Sequence, residues 1–170
     1  MNAPASHIEP ATTKPETAPA TVIKASGLGL TFETNDGPVH ALSDVDLAID
    51  KGEFVSFIGP SGCGKTTFLR VIADLEQPTR GSILVNGMTP QAARQARSYG
   101  YVFQAAGLFP WRTIERNVAL PLEIMGYPRA EVRERIARTL ALVNLSGFEK
   151  KFPWQLSGGM QQRASIARAL

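Results

Sequence analysis

The chain has 170 residues, 44% hydrophobic and 19% charged, with a formal net charge of +3, an ordinary globular composition with enough chain for one cored domain but not two. It has no run of about 18 apolar residues to cross a bilayer, no cationic and apolar secretory leader, and one cysteine, Cys63, so no intrachain disulfide can form and a reducing cytosolic setting is expected. The arginines from Arg129 to Arg138 alternate with Glu131 and Glu134, the pattern of a solvated helix face rather than a phosphate-tracking stripe, so nucleic acid is not an expected partner.

Residues 1–21 are rich in Pro, Ala and Thr, with Pro4, Pro10, Pro15 and Pro19 interrupting any regular period. Such a segment buries too little surface to offset the entropy of ordering, and a flexible tail is expected. Strands are predicted over Val22 to Phe32, Val45 to Ile49 and Phe54 to Ile58, separated by the turns Asn35-Asp36-Gly37-Pro38 and Asp50-Lys51-Gly52. Phe54 to Ile58 is apolar at nearly every position, as in a strand covered on both faces. A helix reaching about Leu75 comes next, then the turn Gln77-Pro78-Thr79-Arg80-Gly81, a strand Ser82 to Val85, the turn Asn86-Gly87, and an apolar strand Tyr99 to Phe103 that ends at Gln104. This alternation predicts an α/β fold. From Thr113 the pattern is helical, with Val132, Ile136, Leu140 and Val143 spaced as a buried stripe. No internal repeat is present.

Two motifs carry chemistry. In Gly59-Pro60-Ser61-Gly62-Cys63-Gly64-Lys65-Thr66-Thr67, glycines 59, 62 and 64 let consecutive N–H groups turn toward phosphate oxygens, and the helix that follows offers its positive end to the same place. Lys65 is expected to neutralise the β and γ phosphates of ATP, the Thr66 hydroxyl to ligate Mg²⁺, and Thr67 to add a donor. The bland alternative is a chance glycine turn, which the full spacing between strand and helix disfavours. By itself the motif does not separate transport ATPases from kinases or GTPases.

The second motif is Leu156-Ser157-Gly158-Gly159-Met160-Gln161-Gln162-Arg163. Ser157 stands where an N-cap belongs, and Gly158 and Gly159 leave first-turn amides bare, so a helix running to Leu170 would offer hydroxyl, amides and dipole to an anion. An ordinary capped helix with glycines for tight packing is the alternative reading.

Together the two motifs make the chain resemble the ATP-binding subunit of an ABC transporter, over about Val22 to Leu170. The resemblance implies a P-loop NTPase fold of the ABC nucleotide-binding type, with an antiparallel β edge and a helical subdomain: a core over 22–104, the helical subdomain over 105–156 and a signature helix over 157–170. It implies a head-to-tail homodimer in which Ser157, Gly158 and Gly159 face the γ-phosphate held by the other subunit. Met160 replaces the family's usual Gln. Gln104 matches the Gln loop, whose side chain reaches the metal and the attacking water and senses the permease. Phe32 falls where an aromatic stacks on adenine, or is a core residue of its strand. Leu108-Phe109-Pro110-Trp111 and the segment Arg112 to Val118 resemble the surface that grips a permease helix, with packing inside the helical subdomain as the alternative for Trp111. Asp74 stands where relatives carry glycine, so a less stable helix end is expected.

In the family, the signature helix leads to an Asp-Glu strand (Walker B), a catalytic Glu and a switch His. None of these lies within the 170 residues, the chain resembles a cassette truncated before Walker B, and His7 and His40 are too far away to substitute. With hydrolytic parts absent, the chain alone is expected to be inactive, and with the intervening strands missing between Phe54–Ile58 and Tyr99–Phe103 it is expected to be unstable or aggregation-prone. Tyr101-Val102-Phe103-Gln104, Leu108 to Trp111 and the signature wording resemble the nitrate, sulfonate and taurine import subfamily. This implies a subunit on the inner face of a bacterial membrane, driving a permease fed by a solute-binding protein. The alternatives are a non-hydrolytic nucleotide-binding pseudo-subunit and an ABC-type ATPase of DNA repair or translation. The latter is disfavoured because only about ninety residues part the two motifs, a spacing suited to a transport cassette.

Overall fold

The computed structural model describes residues 20–170; residues 1–19, which hold most of the expected flexible tail, lie outside the described residues. The described residues divide into two compact units, one ending at Ala93 and the other running over Arg94–Leu170.

In the first unit, β1 (Thr21–Thr34) and β2 (Gly37–Asp50) form a long antiparallel hairpin, and β3 (Arg80–Val85) pairs antiparallel with the other side of β1, giving the order β2-β1-β3. The hairpin turns at Asn35-Asp36, where Thr34 Oγ1 donates to the Gly37 carbonyl at 2.7 Å. Gly81 is required where β3 crosses β1: its φ is +74° and a β-carbon there would collide with the Gly27 carbonyl. Apolar residues of this sheet face α1 (Lys65–Ile72), and Ala25, Leu28, Leu30, Leu42, Ile83, Phe68 and Val71 form the buried core. The helix stops two residues beyond its end at Asp74, which adopts a left-handed φ of +53°. The Asp74 carboxylate accepts a 2.7 Å hydrogen bond from the Gln77 amide, so the non-glycine turn is formed and locally supported.

In the second unit, α3 (Ile114–Ile124), α4 (Arg129–Leu142) and α5 (Gly158–Ala169) pack together. A short α2 (Pro90–Gln95), not predicted, begins in the first unit and runs across the division; its Thr89-Pro90 start is a helix signal, with Thr89 Oγ1 accepting from the Ala92 amide at 3.3 Å. The predicted α4 stripe forms in part: Leu140 is buried, and Ile136 and Val143 pack against the same cluster of Ile114, Val118, Leu145, Leu156, Ala164 and Ala167, whereas Val132 at the helix start is only partly buried and lies outside that cluster. Thr113 caps α3 by accepting from the Arg116 amide. Backbone carbonyls of Lys151 and Glu149 take the amides of Ile114 and Glu115 at 2.8 and 2.9 Å, completing the cap.

Two predicted strands do not form. Phe54 to Ile58 joins no ladder: only Phe57 packs on the core, meeting Phe68 edge to face at 5.5 Å, while Phe54 and Ile58 are each 94% exposed. Residues 99–103 are likewise unladdered. Apolar content says what a segment would bury, but a strand exists only where a neighbour takes its N–H and C=O groups. The three described strands form ladders only with one another, apart from an isolated bridge between Val85 and Met88. Among the described residues no helix is long and apolar enough to cross a membrane.

Candidate functional site

The glycine loop of the first unit closes on its own lysine. Gly62 and Gly64 take φ of +81° and +92°, and a β-carbon on Gly64 would sit 2.5 Å from the Ala41 carbonyl oxygen, so neither position accepts a larger residue without strain. A β-carbon on Gly59 would meet Cys63 Sγ at 2.8 Å. The Lys65 ammonium donates to the carbonyls of Gly59 and Pro60 at 2.8 and 2.7 Å and lies 3.4 Å from Cys63 Sγ. The loop is thus a ring of backbone wrapped around one cation.

Directly after it, α1 starts with Gly64 as N-cap, with no side chain closing the helix end and no acidic residue in its first turn. Exposed Thr66 stands in that turn. A cation, an open helix start and no acidic residue in its first turn are the features that an anion would find favourable. Among the described residues no group of three or more His, Cys, Asp or Glu is placed to hold a metal ion. The loop and first turn offer a metal hydroxyls, Thr66 among them, rather than a carboxylate cage, a donor set that fits Mg²⁺, an ion that keeps waters and shares substrate phosphates.

Phe32 lies on β1 opposite Val39, outside the buried core and 37% exposed. Its neighbours Thr31 and His40 are joined at 2.9 Å.

In the second unit, Ser157 caps α5, its hydroxyl accepting from the Met160 amide at 3.3 Å. Gly158 and Gly159 have no left-handed φ, and a β-carbon on either would meet nothing within 4 Å. Tight packing within the chain therefore does not explain these glycines. Met160 packs on the helical core, which gives the departure from Gln an internal reason.

Gln104 is exposed at a bend, and both of its flanks are tied to α5. Gln162 Nε2 donates to the Phe103 carbonyl at 3.1 Å, and Arg168 donates to the carbonyls of Ala106 and Gly107 at 3.0 and 2.7 Å. Burial lowers the pKa of Arg168 from its ordinary value.

The segment after Gln104 is pinned by Asn117, fully buried on α3. Its amide accepts from the Phe109 N–H at 2.7 Å and donates to the carbonyls of Phe109, Arg112 and Thr113 at 3.1, 3.0 and 3.0 Å. So held, Trp111 projects outward, 71% exposed and tilted against Phe109 at 5.0 Å. It does not pack inside the helical unit. A groove of about 770 Å³ in this unit is lined in part by Tyr99, Tyr101, Phe103, Ile124 and Ile136.

Sequence reasoning singled out Gln104 and Ser157 but missed Gln162, Arg168 and Asn117 as the residues that hold them or their neighbours. The available signal was weak: a fork donor within the small, apolar run Ile166-Ala167-Arg168-Ala169, and a polar residue on an otherwise apolar helix face.

A family model described as ABC transporter matches residues 42–170. The chain is 51% identical over 128 residues to an Fe(3+) ions import ATP-binding protein of Rhizobium meliloti, covering 75% of this chain and 32% of that one. It is 40% identical over 139 residues to an aliphatic sulfonates import ATP-binding protein of Bacillus cereus, covering 82% and 53%. Among solved structures, a dimeric ATP-binding cassette in a post-hydrolysis state with ADP and Pi bound superposes with a TM-score of 0.79 at 38% identity, covering 87% of this chain and 68% of the other. The chain spans about half the length or less of the curated relatives described.

Proposed function

The chain belongs to the ABC transporter family, and on that premise we propose that it is the nucleotide-binding part of an ATP-hydrolysing transport subunit. The observation that carries this reading is the loop Gly59 to Gly64 wrapped around the Lys65 ammonium at the open start of α1. A triphosphate is the ligand that answers to it. Its oxygens would take the loop amides and draw the ammonium away from the loop's own carbonyls. Lys65 and the α1 dipole bind the β and γ phosphates, and Thr66 contributes its hydroxyl to Mg²⁺. When bound, that ion neutralises charge on the phosphates and orders water. Phe32, with its ring outside the core, is the proposed adenine platform, and Gln104 the residue that faces metal and water.

The bare start of α5 supports pairing with a second copy. Gly158 and Gly159 are demanded neither by backbone conformation nor by internal packing, so their missing side chains matter to something outside the chain. A triphosphate held by a second subunit fits, since Ser157 and the α5 amides would complete its enclosure. Exposed Trp111 and half-buried Phe109, held by Asn117, form the proposed seat for a permease segment, and the proposed location is the cytoplasmic face of a membrane.

For cargo we propose a nitrate, sulfonate or taurine importer served by a solute-binding protein. The wording around Gln104, Trp111 and Ser157 and the sulfonate import relative support this reading; relatives named for iron and methionine import match the chain as well, at 51% and 44% identity. Calorimetry tests the nucleotide reading: Mg²⁺-dependent ATP binding is expected and should be lost in Lys65→Ala. Undiminished binding by that variant would overturn it. Uptake of labelled taurine against labelled iron, in cells with and without the full-length protein, tests the cargo.

A further inference from the structure

Three side-chain hydrogen bonds and one backbone contact fasten the segment around Gln104 to the helix that Ser157 caps. Gln162 holds the carbonyl before Gln104, and the Arg168 fork holds two carbonyls just after it. Further back, a β-carbon on Gly100 would collide with the Ala169 carbonyl, so the backbone there lies directly against the end of α5. Arg168 is half-buried, and among the described residues its hydrogen-bond partners are two carbonyls, with no carboxylate in salt-bridge range. A charge in a desolvating place, spending its planar fork on main-chain oxygens, serves geometry rather than ion pairing.

We propose that Arg168, with Gln162, is a positioning residue that locks Gln104 to α5, so that the anion-facing start of that helix and the Gln104 side chain move as one piece. The reasoning is mechanical. Both flanks of Gln104 are bonded to one rigid helix, roughly 9 Å of rise separating the two donors. A displacement of Ser157 toward a nucleotide therefore carries Gln104 with it unless these bonds break. Ligation of a triphosphate at the start of α5 would then be reported at the Gln104 bend, and pressure on that bend reported back. The inference rests on the nucleotide reading above.

The test uses the full-length ATPase assembled with its permease. Replacing Arg168→Met should lower turnover about tenfold at an unchanged KM for ATP, because the reacting groups are misplaced while the phosphate loop is untouched. Made in a Gln104→Ala background, the same replacement should add less than about twofold, since there is no side chain left to position. Amide exchange at residues 104–107 should quicken while α3 and α4 keep their protection. Arg168→Lys, which restores one donor, should recover part of the loss. If Arg168→Met does not fold, Gln162→Met runs the same cycle through the Phe103 carbonyl. Equal losses in both backgrounds, or exchange rising throughout the second unit, would overturn the positioning role while leaving the nucleotide reading intact. Absence of ATP turnover in the unaltered protein, or full ATP binding by Lys65→Ala, would overturn both.

Discussion

Replacing Asn117→Ala removes four hydrogen bonds at once, but their loss is uneven. The Phe109 carbonyl keeps the Arg112 amide at 3.1 Å and the Thr113 carbonyl keeps the Asn117 amide at 2.9 Å. The Phe109 N–H and the Arg112 carbonyl lose the partners that Asn117 gives them among the described residues. An orphaned buried polar group costs about 1–3 kcal/mol, and the low end applies here because the loop lies near solvent, so the variant should lose about 2–3 kcal/mol. Urea denaturation at an unchanged m-value reads this directly. Asn117→Asp separates hydrogen bonding from volume. The introduced carboxyl keeps the shape and one acceptor, but it faces three carbonyl oxygens, which raises its folded-state pKa above the unfolded value of about 3.9. The folded state then binds more protons than the unfolded one, so this variant should gain stability relative to the parent as the pH falls through the raised pKa. A loss below about 0.5 kcal/mol for the alanine variant, or no pH-dependent difference for the aspartate variant, would refute the claim that Asn117 pins the loop.

Three other outcomes follow from the same structure. Cys63 is exposed inside the glycine loop, so Mg-ATP should slow its alkylation several-fold, measured by mass spectrometry; equal rates with and without nucleotide contradict a phosphate in the loop. Trp111→Ala should leave the melting temperature within about 2 °C, because the ring is 71% exposed. Assembly with the permease should weaken by about tenfold or more, since large aromatics at an interface carry much of its affinity, and full assembly would remove this surface from the interface. The Glu149 carboxyl is held below its ordinary range, first by the Gly147 N–H and then by its own N–H. A depressed carboxylate stabilises the fold above its unfolded pKa, and this contribution is lost as pH falls through the folded pKa. Glu149→Gln should therefore melt lower than the parent at pH 7, with the gap closing below about pH 4; a constant gap would contradict the cause.

The features that were legible in advance are those whose physics is contained in a few consecutive residues. Left-handed Gly62 and Gly64, the helix beginning at Lys65, the Asn35-Asp36 turn, the Ser157 cap and the α4 stripe all arise between residues at most a few turns apart. Asp74 was legible as a strained helix end, though the Gln77 amide that supports it was not. Arg168 and Gln162 reach carbonyls 59 to 62 residues away. A carbonyl is present at every position and leaves no mark on the sequence to show which one will be used. Phe54 to Ile58 shows the opposite failure: its composition is that of a covered strand, yet Phe54 and Ile58 stand in the open.

By itself the amino-acid order determined the glycine loop before α1, the capped start of α5 and the family, because backbone conformation at glycines and caps is a short-range property. Only the tertiary structure decided that Asn117 would turn the loop outward and expose Trp111, that Gly158 and Gly159 face open space, and that Gln104 is strapped to α5. The strap depends on which backbone groups 59 to 62 residues away come within about 3 Å of a side-chain donor, the outward turn on how the loop folds back over Asn117, and the open space on what packs elsewhere; all three exist only once the chain has packed.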